Sequence, residues 1–271
     1  MKRTIIAIAL AATTALAAPA SAGGISKADY AAALAGSQRS DANRARDQYR
    51  HPAETLSFFG LKPDMTVVEV APGGGWYTEV IAPLVKAKGK LYAAHANPAA
   101  NERAAEAVDS FRKKLAADPA LSGVEVTSFG KDHYDSLAPA GGADMVLTFR
   151  NVHNWYIGDY APQAFAAFFA ALKPGGVLGI VDHRLPEDRP DEMMKSSGYM
   201  KTSTVIRMAE AAGFRLAGQS EVNANTKDKA DYPKGVWTLP PRLAEGDTDR
   251  DKYLAIGESD RMTLKFVKPA K

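Results

Sequence analysis

The sequence predicts an α/β fold, a doubly wound sheet of seven strands that is mostly parallel with an antiparallel last strand. Three observations carry that prediction. Short β-rich runs alternate with helical stretches between residues 65 and 213, at the spacing of parallel strands with helices on both faces. A glycine turn, Gly73-Gly74-Gly75, stands where the first run passes into the first helix. Two late β-rich runs lie about forty residues apart without a clear helix between them. That fits a hairpin-like return at the sheet edge better than another crossover.

The N-terminus comes first. Met1-Lys2-Arg3 is basic, Thr4 to Ala18 is apolar, and Ala20-Ser21-Ala22 is a small-x-small site. This is the layout of a secretory signal peptide cleaved after Ala22, so the expected location is periplasmic or secreted. The apolar run is short for a membrane span, no second long one follows, and a chain without cysteine has no lipobox. The formal charge of +3 includes Lys2 and Arg3, so the remainder is nearly neutral and no nucleic-acid partner is expected. With no cysteine, stability rests on core packing.

Residues 23–60 read as an N-terminal helical cap. Tyr30, Ala33, Leu34, Leu56, Phe58 and Phe59 supply its apolar positions, around a polar stretch from Ser40 to Arg50. The main domain then spans 61–271. Its strands are expected at 65–70, 90–94, 124–129, 144–149, 177–181, 214–222 and 262–267, with helices at 77–85, 101–115, 163–172 and 204–212. Residues 223–259 are polar, contain Pro233, Pro240 and Pro241, and read as an inserted loop long enough to act as a lid.

Glycines at such a turn let the backbone approach a ligand closely, and the helix N-terminus offers unpaired N–H groups. The spacing fails the dinucleotide fingerprint, because Thr78 occupies its last position. The run Glu69-Val70-Ala71-Pro72-Gly73-Gly74-Gly75 instead resembles motif I of the class I S-adenosylmethionine-dependent methyltransferases. Gly89 to Ala93, Leu172 to Leu178 and Ala209 to Phe214 are similar to later signatures of that family in the same order, over residues 61–222. Arg150-Asn151-Val152 resembles the ubiquinone/menaquinone-type C-methyltransferases. The A-P-G-G-G-W-Y-T-E block looks like that of a group of predicted exported methyltransferases.

The resemblance implies a Rossmann-like sheet, S-adenosylmethionine as cofactor, and a small molecule or envelope component as methyl acceptor. It implies cofactor contacts from Glu69, Ala71, Gly73, Gly74, Gly75, Asp132 and Arg150. Family members usually end the second strand with an acid that accepts from both ribose hydroxyls. His95 stands there in this chain and lacks the carboxylate's charge and bidentate reach, with Asn97 as another candidate for the ribose.

His153 is the expected general base and Asn151 a catalytic or ligand-binding amide, both just after the fourth strand. Trp76, Tyr77, Trp155 and Tyr156 are candidate pocket walls, and Arg44, Arg46, Arg50 and His51 candidates to close over an anion. Asp182, His153 and Asn154 offer mixed ligands for a divalent ion, but the histidines show no zinc spacing and no metal is expected. An exported methyltransferase is the leading expectation. A methyltransferase-fold protein that binds a nucleoside-like ligand without turnover is the alternative, on account of His95 and the compartment.

Overall fold

The computed structural model describes residues 23–270, so the expected signal peptide, residues 1–22, lies outside the described residues. Four short helices lead in: α1 (Lys27–Ala35), α2 (Asp41–Arg44), α3 (Asp47–Arg50) and α4 (Pro52–Phe59). Local chemistry sets their ends. The Ser26 hydroxyl accepts from the Asp29 N–H while the Asp29 carboxylate accepts from the Ser26 N–H, a capping box that starts α1. Pro52 opens α4, where its missing N–H costs nothing.

The alternating region follows with β1 (Thr66–Val70), α5 (Thr78–Val85), β2 (Lys90–His95), α6 (Glu102–Ala117), β3 (Val124–Ser128) and β4 (Ala143–Phe149). It continues with α7 (Val152–Ile157), α8 (Ala161–Ala171), β5 (Leu172–Leu185), α9 (Met193–Ser197), β6 (Met200–Lys201) and α10 (Thr202–Ala211). The chain closes with β7 (Arg215–Ser220), α11 (Arg250–Ile256) and β8 (Arg261–Val267).

The sheet runs β3-β2-β1-β4-β5-β8-β7, with the two-residue β6 paired to β5 as an eighth strand. Strands β1 to β5 are parallel, and β8 is antiparallel to both β5 and β7. The α/β fold and the antiparallel last strand are therefore as expected. The return differs in one respect: β8 lies inside the sheet and β7 takes the edge. The reason is burial, since β8 is covered along nearly its whole length whereas β7 alternates between exposed and half-buried residues.

Strand periodicity of two divides the core. Along β4, Met145, Leu147 and Phe149 face the layer built with α1, α4 and α5, while Val146 faces the layer of α7, α8 and α10. Strand order reverses between β1 and β4, so the crevice beyond their carboxyl ends is the natural ligand position of this fold. Residues 223–259 are largely irregular apart from a 3-10 turn at Gly235–Thr238 and α11, yet they bury Asn223, Ala230, Val236, Leu239 and Tyr253. Among the described residues no helix is long and apolar enough to cross a membrane.

Candidate active site

The glycine turn begins on strained backbone. Ala71 holds a left-handed φ of 53°, fixed by its N–H donating to the Ala94 carbonyl at the end of β2 (2.9 Å). Gly75 is required at its place, because its φ is 81° and a Cβ there would stand 2.9 Å from the Phe111 ring. Nothing lies within 4 Å of where side chains on Gly73 and Gly74 would begin, so the ground in front of these two residues is open. A ligand can approach the backbone there.

His95 and Lys114 hold the turn from behind. The Ala96 N–H donates to His95 Nδ1 (2.8 Å), which places the ring proton on Nε2, and Nε2–H donates to the Gly73 carbonyl (3.1 Å). Lys114 Nζ donates to the Gly74 carbonyl (2.6 Å). Both His95 nitrogens are thereby occupied, and the ring offers no acceptor for a ribose hydroxyl. Glu69 is buried at the end of β1 and accepts from the Thr78 hydroxyl (2.5 Å). Burial pushes its carboxyl up to about 7, against the opposing pull of Thr78 and Lys114.

The end of β4 supplies the second half of the site. Arg150 has a left-handed φ of 62°, and its N–H donates to the Val181 carbonyl of β5 (2.7 Å). Asn151 Nδ2 lies 3.2–3.3 Å from the Val70, Ala71 and Phe149 carbonyls and the Thr148 hydroxyl. An amide has two hydrogens to give, so the nitrogen of this one is committed to bracing the ends of β1 and β4.

His153 is buried and paired. Asp182 at the end of β5 accepts from the His153 backbone N–H through Oδ2 and contacts ring Nδ1 through Oδ1, both at 2.9 Å. An ionised Asp182 makes Nδ1 the protonated nitrogen and leaves Nε2 with its lone pair. His183 lies beside it, with ring centroids 5.0 Å apart, and contacts the Ser259 hydroxyl through Nδ1 (2.6 Å). Burial first, then His153 and the nearby arginines, hold the His183 imidazole well below its ordinary value, so it is neutral at neutral pH. Ligand atoms of His153, Asp182 and His183 converge within 4.8 Å, each Asp182 oxygen meets one nitrogen of His153, and Asn154 is exposed. The arrangement is an Asp–His pair.

The other expected residues divide. Asp132 is exposed at a left-handed turn (φ 59°) closed by reciprocal bonds between Gly130 and His133. Tyr77 stacks on Phe149 at 3.4 Å, Trp76 packs edge-on to Tyr77, and both are buried. They are walls of the layer beneath the cleft. Arg44 turns to Asp41 and the Gly36 carbonyl, whereas Arg46 and Arg50 converge on Glu258. Asp182 was legible as a polar residue at a strand end. Ser259, Glu258, Arg261 and Trp237 were not, because nothing local marks them and only the fold brings them here.

Solved structures share this architecture. The chain superposes on an S-adenosylmethionine-dependent methyltransferase from Aquifex aeolicus with a TM-score of 0.57 and 21% identity, over 83% of this chain and 93% of that one. The fold is that of the Rossmann-like methyltransferases. The [4+2]-cyclase SpnF matches with a TM-score of 0.58 and 17% identity, over 88% of this chain and 86% of its own. The methyltransferase SibL matches with a TM-score of 0.51 and 13% identity, over 83% and 56% respectively. No family model matches the chain, and no curated protein matches it by sequence. Likeness at this identity establishes the fold, and the cyclase among the neighbours shows that the reaction must be argued from the site.

Proposed function

We propose that the chain is an exported S-adenosylmethionine-dependent methyltransferase acting on a small molecule or envelope component whose nucleophile carries a proton. The observation that carries this reading is the buried Asp182–His153 pair beside an open glycine turn, at the point where strand order reverses. The turn fits the cofactor: Gly73 and Gly74 present open backbone and Glu69 lies beneath them. When bound, S-adenosylmethionine supplies a methyl group on a sulfonium, ready for in-line displacement.

The chain's own residues then align the acceptor and handle its proton. Asn151 keeps the ends of β1 and β4 in register. His153 Nε2 takes the proton of the acceptor, and Asp182 stabilises the imidazolium that results. The leader at residues 1–22 and the A-P-G-G-G-W-Y-T-E block support the reading of an exported enzyme.

One observation favours a second reading, a binding protein on the same fold: His95 is bound at both nitrogens and does not replace a ribose-binding acid. Isothermal titration of residues 23–271 with S-adenosylmethionine and S-adenosylhomocysteine, followed by transfer of labelled methyl groups to a small-molecule extract, separates the two. Cofactor binding with label transfer is expected. Binding without transfer selects the second reading, and no binding at millimolar ligand removes the first.

A further inference from the structure

Four arginines meet where the helical cap touches the crevice. Arg46 and Arg50 come from the cap, Arg150 follows β4, and Arg261 opens β8. A single carboxylate stands among them. Glu258 Oε1 accepts from Arg46 Nε (2.7 Å) and Oε2 from Arg50 Nε (2.9 Å), and Arg261 Nη2 forms an ion pair with Oε2 at 3.1 Å. Arg261 is further held by the Ser259 and Tyr49 carbonyls. Glu258 is thereby shared among three arginines, and donors remain.

Arg50 is 1% exposed with its guanidinium 4.6 Å from the Trp76 ring centroid, and its Nη2 has no hydrogen-bond partner among the described residues; neither has the buried Nη2 of Arg46. Arg150 is half-buried, and its side chain forms no hydrogen bond or ion pair among the described residues. It nevertheless lies close enough to help hold the Glu258 carboxyl down. Four guanidinium groups against one carboxylate is an excess of positive charge in a region shielded from water, which is costly unless an anion shares it.

We propose that Arg46, Arg50 and Arg150, backed by Arg261, form a binding site for an oxyanion, a carboxylate or phosphate group carried by a ligand of the crevice. Such a group offers several acceptor positions to planar guanidinium donors, and charge-assisted bonds of this kind are the strong ones. The competing explanation is a clamp that fastens the cap to β8. A clamp accounts for Arg46, Arg50, Arg261 and Glu258 but leaves Arg150 without a function. Arg150 is three residues before His153 on a strained backbone, so an anion held there lies on the side of the crevice that the Asp–His pair serves. Burial, and then the neighbouring arginines once the pull of Glu258 is set against them, push Arg150 down to about 9 and Arg50 to about 10, as expected for crowded cations short of counter-charge.

Two sources present this chemistry, the amino-acid carboxylate of the cofactor and an acid group on the methyl acceptor. The site stands without the methyl-transfer reading, and only the choice of source rests on it. The test is titration of residues 23–271 with inorganic phosphate at constant ionic strength, chloride being the control, for the unmodified protein, Arg150→Met and Arg46→Met. Phosphate binding that weakens at least tenfold in both variants is expected, on the scale of a lost charge-assisted bond. Circular dichroism and thermal melts check that each variant is folded, and Arg46→Met serves if Arg150→Met is not. Phosphate binding no stronger than chloride, or unchanged in a folded variant, overturns the site. Repeating the titration with S-adenosylhomocysteine present assigns the source: competition indicates the cofactor's carboxylate, and independent binding an acid on the acceptor. If phosphate binds and S-adenosylhomocysteine does not, the methyl-transfer reading falls and the oxyanion site remains.

Discussion

Asp182 gives both carboxylate oxygens to one residue, His153, and this fixes the ring more firmly than a single contact does. The backbone N–H bond sets where α7 begins, and the ring bond sets which imidazole nitrogen is free. Replacing Asp182 by Asn puts an amide where two donors expect acceptors, and turns the ring towards the other tautomer. Asp182→Asn is therefore expected to lower kcat by roughly 10²–10⁴-fold with a small effect on KM for S-adenosylmethionine. His153→Ala should fall in the same range. A labelled-methyl assay checks both, and full turnover in His153→Ala would remove the proposed base. The neighbouring His183 is held neutral by burial and nearby positive charge, so His183→Gln is expected to change turnover less than either. His153 was readable in advance, from a histidine just beyond a β-rich run. Asp182 was read beside it only as a shared metal ligand; the hydrogen bond that orders the ring, across 29 positions of chain, was not legible.

At the scale of elements, the segment after β7 brings Trp237, Glu258 and Ser259 to the site, and its fit against α9 depends on one position. Gly235 has a φ of 55°, and a Cβ there would lie 2.2 Å from the Ser197 carbonyl oxygen. Backbone cannot yield as a side chain does. Gly235→Ala is expected to destabilise the protein by roughly 2–4 kcal/mol, from left-handed strain and overpacking together, as read in urea unfolding. It should also shift Trp237 fluorescence, since that side chain packs 6.3 Å from the His153 ring. A stability equal to the parent protein would show that the segment is not seated on α9. These contacts also explain what the sequence alone could convey. Strands β1 to β5 were legible because each is a β-rich run bounded by turn residues. Helices α7, α9 and α11 are five to seven residues long, too short to display a helical period. The interior position of β8 was not legible, because Arg261-Met262-Thr263-Leu264-Lys265-Phe266 alternates polar with apolar residues, the pattern of a strand covered on one face only.

For the whole molecule, two buried carboxylates set opposite limits on stability against pH. Glu69 lies under the glycine turn, and burial raises its carboxyl from 4.5 to about 7. Its contribution is fully present below pH 4.5 and is lost as the pH rises through 7, because the folded state holds the proton more tightly than the unfolded chain. Glu258 joins the cap to the last strand, more than two hundred residues apart in sequence. Burial alone would raise its carboxyl, but Arg261, Arg50, Arg150 and Arg46 outweigh that and hold it at about 2. Its contribution is present above pH 4.5 and is lost as the pH falls towards 2. Each shift corresponds to about 3 kcal/mol, to order of magnitude. Long-range coupling of this kind has no local signature, which is why the sequence showed a charged cap without showing what it closes on. Urea midpoints measured from pH 2 to pH 8 should therefore peak between the two transitions. Glu69→Gln should remove the decline on the neutral side and leave the acid side in place. Glu258→Gln should do the reverse, lowering stability near pH 7 by leaving the arginines uncompensated and flattening the acid limb. Unchanged profiles in both variants would show that neither carboxylate is coupled to folding as the geometry requires.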